Sequence, residues 1–272
     1  MIQPNVPLPD VPLPAEFAAS GGTPPLALVT GGARRIGATF SRALAGRGFR
    51  VAIHCNRSRT DADALAAELA AEGMPAPLVV QADLADRDAA TAIFAQLPEP
   101  PRLLINNASL FHEDQLGAID LALWQQHMAV NLLAPVLLMQ AFAARLPQGA
   151  TGLVVNLSDA KLSSPNPDFF SYTISKMGLA GATELAARKL APAIRVNAIA
   201  PAVTLVSGPQ SRANFEQAHT LNALGRGVDV QDLVRALLYL VETPTVTGQT
   251  LVVDGGQRFL ALPRDVAYMV PE

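Results

Sequence analysis

The 272-residue chain predicts an α/β fold: a single doubly wound domain in which a parallel sheet is covered by helices on both faces. Three observations predict it. Short apolar runs alternate with longer stretches of helical periodicity along nearly the whole chain. The runs are continuously apolar, as strands buried on both faces must be. No shift in composition divides the chain after residue 25.

Residues 1–25 are crowded with proline (Pro4, Pro7, Pro9, Pro12, Pro14) and have neither a basic start nor an uninterrupted apolar core. That argues against a secretory signal and predicts an extended or disordered arm. Leu26–Thr30 is the first strand. It stops at a Gly-rich turn, and helical periodicity then runs from Ile36 to Arg47, closed by Gly48. The strand Arg50–His54, a helix over Asp61–Glu72, the strand Pro77–Gln81, a helix over Arg87–Gln96 and the strand Arg102–Asn106 follow. A long helix is expected from Leu121 to Arg145. Its most apolar part, Leu132–Ala144, is broken by Pro135 and Gln140 and is too short to span a bilayer. Next come the strand Leu153–Leu157, the helix Phe170–Leu190 and the strand Ile194–Asn197. A long loop, a helix near Asp229–Val241 and the strand Thr250–Asp254 complete a domain over residues 26–256. The tail, residues 257–272 with Phe259 and Tyr268, is expected either to close over a neighbouring subunit or to be disordered.

Composition narrows the classes. Half of the residues are apolar and 16% are charged, which is globular rather than disordered material. A net charge of −3 gives no basic excess for nucleic acid. The single Cys55 excludes an internal disulfide and a thiolate cluster, and no metal is expected. The expected setting is the cytoplasm, with no membrane contact.

Thr30-Gly31-Gly32-Ala33-Arg34-Arg35-Ile36-Gly37 lies where the first strand meets the first helix. A glycine turn there lets backbone N–H groups and a helix N-terminus approach a pyrophosphate. Past the second strand, dinucleotide sites for NAD usually place an acid; this chain has Asn56-Arg57-Ser58. The Arg57 fork suits a phosphate where an acid would repel one, so NADP(H) is expected over NAD. Asp83 and Leu84 follow the third strand, where a short carboxylate can accept from an adenine amino group. Asn107-Ala108-Ser109 follows the fourth, with small Ala108 permitting close approach to a cofactor. Tyr172 and Lys176, four apart, fall one helical turn from each other on one face. An ammonium beside a phenol favours the phenolate, so Lys176 is expected to lower the Tyr172 pKa.

These pieces in this order resemble the short-chain dehydrogenase/reductase family. The matching residues are Thr30-Gly31 with Gly37, Asp83, Asn106-Asn107-Ala108, Asn131, Tyr172 with Lys176, and Asp254-Gly255-Gly256. The resemblance implies a Rossmann-like fold, a nicotinamide cofactor contacted also near Pro201, and a homotetramer. It implies Tyr172 as proton donor, Lys176 on the nicotinamide ribose and Asn131 holding a water in the proton relay. Residues 203–227 become a substrate lid carrying Arg212 and His219, while Trp124 and His127 become core or interface residues.

Two departures point to a branch. The usual middle glycine is Arg35, and the position thirteen before the tyrosine, normally a catalytic serine, is Asp159. With Asn56-Arg57-Ser58 and Ser109-Leu110-Phe111, these resemble the pteridine reductases and dihydromonapterin reductases. That likeness implies Arg35 reaching substrate and phosphate, Ser109 touching pterin, Phe111 stacking on it, and Leu205 among the substrate contacts. The chemistry agrees. Ketone reduction develops charge on oxygen and wants a neutral donor, whereas reducing a ring C=N bond requires protonation of nitrogen, which an Asp–Tyr pair can supply. Two alternatives stay open. Ser158 can serve as the usual serine of a carbonyl or alcohol reductase, or the chain can bind NADPH without catalysis. His112, beside the cleft, reads as a solvated loop histidine or a substrate contact.

Overall fold

The computed structural model describes residues 13–17, 22–207 and 210–271. Seven strands form one sheet in the order β3-β2-β1-β4-β5-β6-β7, and every neighbouring pair is parallel. They are β1 Leu26–Val29, β2 Arg50–Cys55, β3 Leu78–Gln81, β4 Leu103–Asn106, β5 Gly152–Leu157, β6 Ile194–Pro201 and β7 Thr250–Val253. Each apolar run read as a strand is one. β6 extends beyond Asn197 because Ala198–Pro201 pairs with Thr250–Val253.

The helices are α1 Arg35–Gly46, α2 Arg59–Ala71, α3 Ala89–Ala95, α4 Leu121–Met128, α5 Ala134–Arg145, α6 Phe170–Leu190, α7 Arg212–Thr220 and α8 Val230–Glu242. Alternate residues of β1 enter two cores. Ala27 and Val29 pack with α1, α2 and α8, while Leu26 and Leu28 pack with α3 and α5. This is the doubly wound, Rossmann-like arrangement.

Three regions depart from the expectations. The first is the helix Leu121–Arg145, whose α4 and α5 parts are joined by a π-helical stretch, Ala129–Leu133, with the Ala134 N–H bonded to the Ala129 carbonyl. Pro135 enters in the first turn of α5, where its missing N–H costs least, so it does not break the helix. The full 25-residue stretch is long and apolar enough to cross a membrane, contrary to the shorter span read from Leu132–Ala144. In this fold its Leu138, Met139 and Phe142 are buried against Leu104 and Val154 of the sheet.

The second is the N-terminal arm. Ala15–Phe17 is a 3₁₀ turn whose Phe17 is fully buried, edge-on to Phe49 at 5.3 Å. Glu16 pairs with Arg195 at 2.6 Å, so this part of the arm is docked on the domain. Residues 1–12 and 18–21 of the expected arm lie outside the described residues.

The third is the region 203–227, which contains α7, and the tail after it. Ser211 caps α7 by accepting from the Asn214 N–H at 3.1 Å. The Asn214 amide in turn donates to the carbonyls of Ala267, Val270 and Pro271. The tail therefore folds back on its own chain.

Candidate active site

β1 and β4 are neighbours whose connections run to opposite edges of the sheet, and a cleft of about 1470 Å³ opens beyond their C-terminal ends. That is the switch point where doubly wound sheets bind ligands. The volume exceeds the roughly 300–1,000 Å³ of a pocket for one small molecule, leaving room for a dinucleotide and a second ligand.

The glycine turn forms one wall. Gly31 has φ +59°, and a Cβ there would press on Ala108 at 3.2 Å. A Cβ on Gly37 would lie 2.1 Å from the Gly31 carbonyl oxygen. Both positions must stay bare for the turn to close. Asn107 holds it from the β4 side, its amide donating to the carbonyls of Thr30 and Gly31 at 2.8 and 3.2 Å. The Thr30 hydroxyl accepts from the N–H groups of Asn107 and Ala108. This bare backbone cradle, with the exposed guanidiniums of Arg34 and Arg57 and the Ser58 hydroxyl lining the same cleft, fits a dinucleotide carrying an extra phosphate. Asn56 and Leu84 line that end too. Asp83 caps its own turn through Oδ1, which accepts from the Ala85 N–H at 2.9 Å.

Tyr172 and Asp159 occupy the other end. The phenol donates to Asp159 Oδ2 at 2.6 Å, and Asp159 Oδ1 accepts from the Lys161 N–H at 2.8 Å. Lys176 is buried, donates to the Leu157 carbonyl at 2.8 Å and stands 5.8 Å from the centroid of the Tyr172 ring. The expected lowering of the tyrosine pKa by Lys176 is not what this geometry gives. Burial and then the Asp159 carboxylate hold the phenol well above its usual range. Burial also lowers the Lys176 ammonium to about 8.

Ser158 is placed differently. Its hydroxyl is buried and without a partner, and the phenol bonds to the neighbouring carboxylate instead. Asn131 lies in the π-helical stretch, and its carboxamide makes four bonds to protein. Oδ1 accepts from Ser109 Oγ and the Leu110 N–H, and Nδ2 donates to the Leu110 carbonyl and Ser175 Oγ. With these bonds the side chain clamps the loop after β4.

Arg35, expected to reach substrate and phosphate, lines the cleft and bonds protein beside it. It is a non-glycine residue at φ +54°, and its guanidinium donates to the Val206 carbonyl at 2.7 Å and to Ser207 Oγ at 3.3 Å. It ties the glycine turn to the segment after β6, with Ile36, Pro201 and Leu205 beside it in the cleft wall. Phe111 lines the cleft but stacks on Phe169 at 4.1 Å and meets Tyr172 edge-on at 4.7 Å.

The histidines separate cleanly. His112 lines the cleft, and its N–H donates to His127 Nε2. His127 is fully buried and bonds Ser171, a core role, while Trp124 lies near Phe170. His219 stacks on Phe215 and bonds the Val228 carbonyl, and Arg212 pairs with Glu216 on the surface. Neither His219 nor Arg212 lines the cleft.

Sequence reasoning passed over His54, Lys161, Phe169 and Asp265. Buried His54 accepts from the Gly31 N–H through Nδ1 at 3.2 Å and meets the Ala82 carbonyl through Nε2, so the neutral ring donates from Nε2. Its place at the end of β2, one register from the glycine turn, was the available signal. Phe169 sits at φ +53° immediately before α6, a strained conformation that brings its ring against Phe111.

The family model for short chain dehydrogenase matches residues 25–217. This chain belongs to the short-chain dehydrogenase/reductase family. It is therefore an oxidoreductase. A crystal structure of FolM alternative dihydrofolate reductase 1 from Brucella canis, complexed with NADP, superposes with a TM-score of 0.84 at 44% identity, over 90% of this chain and 97% of that one. Pteridine reductase 1 of Leishmania tarentolae is 30% identical over 86% of this chain and 96% of its own length. A putative ketoacyl reductase of the granaticin polyketide synthase of Streptomyces violaceoruber is 33% identical over 87% of this chain and 97% of its own.

Proposed function

We propose that the protein is an NADPH-dependent pteridine reductase that converts a dihydropterin, or dihydrofolate, to the tetrahydro form. The observation that carries this reading is the 2.6 Å bond from Tyr172 to Asp159. A carbonyl reductase needs a neutral donor at that place, because a carboxylate repels a developing alkoxide. Reduction of a ring C=N bond has no such conflict. NADPH is the cofactor: the bare glycine turn admits a pyrophosphate, and Arg34 and Arg57 line the cleft with no carboxylate at the end of β2. The likeness to an NADP-complexed FolM and to a pteridine reductase supports both parts.

When bound, the nicotinamide supplies the hydride. The chain's own residues supply the proton and the orientation. Phe111, backed by Phe169, offers an aromatic edge against which a flat heterocycle packs. Tyr172 remains protonated through neutral pH and is a donor to the ring nitrogen. As the phenol gives its proton to the ring nitrogen, Asp159, the acceptor of its hydrogen bond, is placed to pass it a replacement taken from the cleft. The net transfer is one proton from the cleft to the substrate nitrogen.

The test is NADPH oxidation with dihydropterins, dihydrofolate and a panel of small ketones. Turnover of a dihydropterin or dihydrofolate is expected. Activity confined to ketones would replace this reading with a carbonyl reductase resembling the ketoacyl relative. A homotetramer in the cytoplasm accompanies the proposal, and light scattering on the purified protein tests the oligomer.

A further inference from the structure

We infer that the C-terminal segment, residues 262–268 of the same chain, completes the substrate pocket and that Tyr268 is a substrate-binding residue, the far ring of an aromatic wall that starts at Tyr172 and Phe111. The inference rests on the pteridine reading above, which gives the substrate its flat heterocycle.

The segment is part of the cleft wall: Leu262, Asp265, Val266, Ala267 and Tyr268 all line it. Its last turn, Val266–Tyr268, is capped by Asp265, whose Oδ1 accepts from the Ala267 N–H at 3.1 Å. Contacts to three separate stretches of chain hold it there. Arg264 Nε donates to both oxygens of Asp168 at 2.8 Å, and the Asp265 N–H donates to Asp168 Oδ2 at 2.6 Å. Asp265 Oδ2 lies 3.6 Å from Lys161 Nζ, on the turn after β5. The Asn214 amide of α7 donates to the Ala267 carbonyl at 2.9 Å. Asp168 directly precedes Phe169, so the first of these anchors fixes the segment beside that ring.

The rings form a continuous path. Tyr172 meets Phe111 edge-on at 4.7 Å, Phe111 stacks on Phe169 at 4.1 Å, and Phe169 lies parallel to Tyr268 at 6.1 Å, with 9° between the planes. Phe169, in the middle, is only 9% exposed, whereas Phe111 is 38% and Tyr268 41% exposed. The open surface of the stack therefore lies on its two outer rings, both of which line the cleft. The Arg264 guanidinium, which is not in the cleft wall, lies 4.9 Å from the Tyr268 ring centroid and fixes the ring without covering the way in. A ring held in this way offers apolar surface to a ligand at little ordering cost. Tyr268 is the third ring along the path from the proton donor, so its contact falls on the part of the substrate remote from the bond being reduced. Such a contact is the same before and during the reaction, and it governs KM rather than kcat.

A graded series at this position tests the contact in the full-length protein, with dihydropterins and dihydrofolate as the probes. For the reduced pterin that the wild type turns over, Tyr268→Ala should raise KM by roughly 3- to 15-fold, with kcat within about two-fold of wild type. Tyr268→Leu, which keeps apolar bulk without a ring, should fall between the two, and Tyr268→Phe should restore KM towards the wild-type value. NADPH affinity, measured by fluorescence titration, should stay at the wild-type value throughout, which also shows that the variants are folded. An unchanged KM in both Tyr268→Ala and Tyr268→Leu overturns the inference. So does a fall in kcat at constant KM, or a loss of NADPH affinity in both variants, since either would make Tyr268 a support for the fold or for Tyr172 and not a contact of the substrate. These outcomes leave the pteridine reading standing. If the wild-type protein itself turns over no reduced pterin, that reading fails and the inference with it.

Discussion

The hydroxyl of Tyr172 donates to Oδ2 of Asp159 at 2.6 Å, across thirteen residues of chain and between two elements, the turn after β5 and helix α6. A charge-assisted O–H···O⁻ bond of that length is strong, and it places an acid where a reductase of carbonyls needs a neutral donor. Asp159→Asn keeps the shape and removes the charge. Turnover of a dihydropterin should fall by roughly 10²–10⁴-fold, the usual worth of a positioned acid–base group. Ser158→Ala should stay near wild type, because that hydroxyl makes no bond to the phenol, which bonds Asp159 instead. The Tyr172 ionisation should move down in Asp159→Asn, since the carboxylate is one cause of its elevation. Steady-state kinetics and ultraviolet titration read the two effects. The opposite pattern, with Ser158 essential and Asp159 dispensable, would assign the site to carbonyl chemistry.

On the proposed reading, Arg57 sets the cofactor preference. It lines the cleft just past β2, solvent-exposed beside Ser58. A hydrogen bond to a charged group is worth about 1.5–3 kcal/mol, so Arg57→Asp should weaken NADPH by roughly 10- to 100-fold or more while NADH changes little. Equal losses for the two nucleotides, measured by titration, would refute the preference.

Two glycines of α1 separate the demands of the cradle from those of the helix. A Cβ on Gly37 would meet the Gly31 carbonyl oxygen at 2.1 Å and the Asn107 amide at 2.6 Å, and the first of these is backbone. Gly37→Ala should cost about 1–3 kcal/mol of stability and abolish NADPH binding. Gly46, nine residues along the chain, has nothing within 4 Å of its would-be Cβ. Gly46→Ala should stabilise by about 0.5–1 kcal/mol and leave binding intact. Thermal unfolding and nucleotide titration compare them.

The strands and most helices were legible because burial on both faces leaves continuous apolar runs, and Phe170–Leu190 begins and ends where its periodicity does. Tyr172 and Lys176 were legible as a pair from their spacing, and Asp159 from the family resemblance, which puts a serine at its place. What spacing cannot carry is the sign of a pKa. A lysine four residues along suggested a lowered phenol, yet burial and an acid on another element dominate. α7 was missed because Arg212–Thr220 buries only Asn214 and Ala218, too little to mark a period, although Ser211 stood at its N-cap. Asp265 and Arg264 had no motif around them. Their place at the site depends on a tail that crosses back to Asp168, a contact between residues about a hundred apart.

The docked part of the N-terminal arm should matter for stability. Phe17 is fully buried against Phe49, and removal of a buried phenyl ring typically costs about 3–5 kcal/mol. Phe17→Ala should lower the urea midpoint accordingly. Its NADPH affinity should not change, since Phe17 does not line the cleft.

His54 links the cofactor turn to pH. Burial holds its folded pKa at about 4, against an ordinary value near 6.5. Between those values the unfolded chain binds more protons than the folded one, so stability rises with pH through the window. The contribution is fully present above about 6.5 and is lost as pH falls towards 4, amounting to about 3 kcal/mol. Protonation would also remove the Nδ1 acceptor that holds the Gly31 N–H. Subtracting the urea unfolding free energies of His54→Gln from those of wild type at each pH isolates this group from the carboxylates that titrate nearby. The difference should slope upward from pH 4 to 6.5 and flatten above, and NADPH affinity should weaken in the variant. A flat difference across that window would show that His54 does not enter the folded state as a neutral ring.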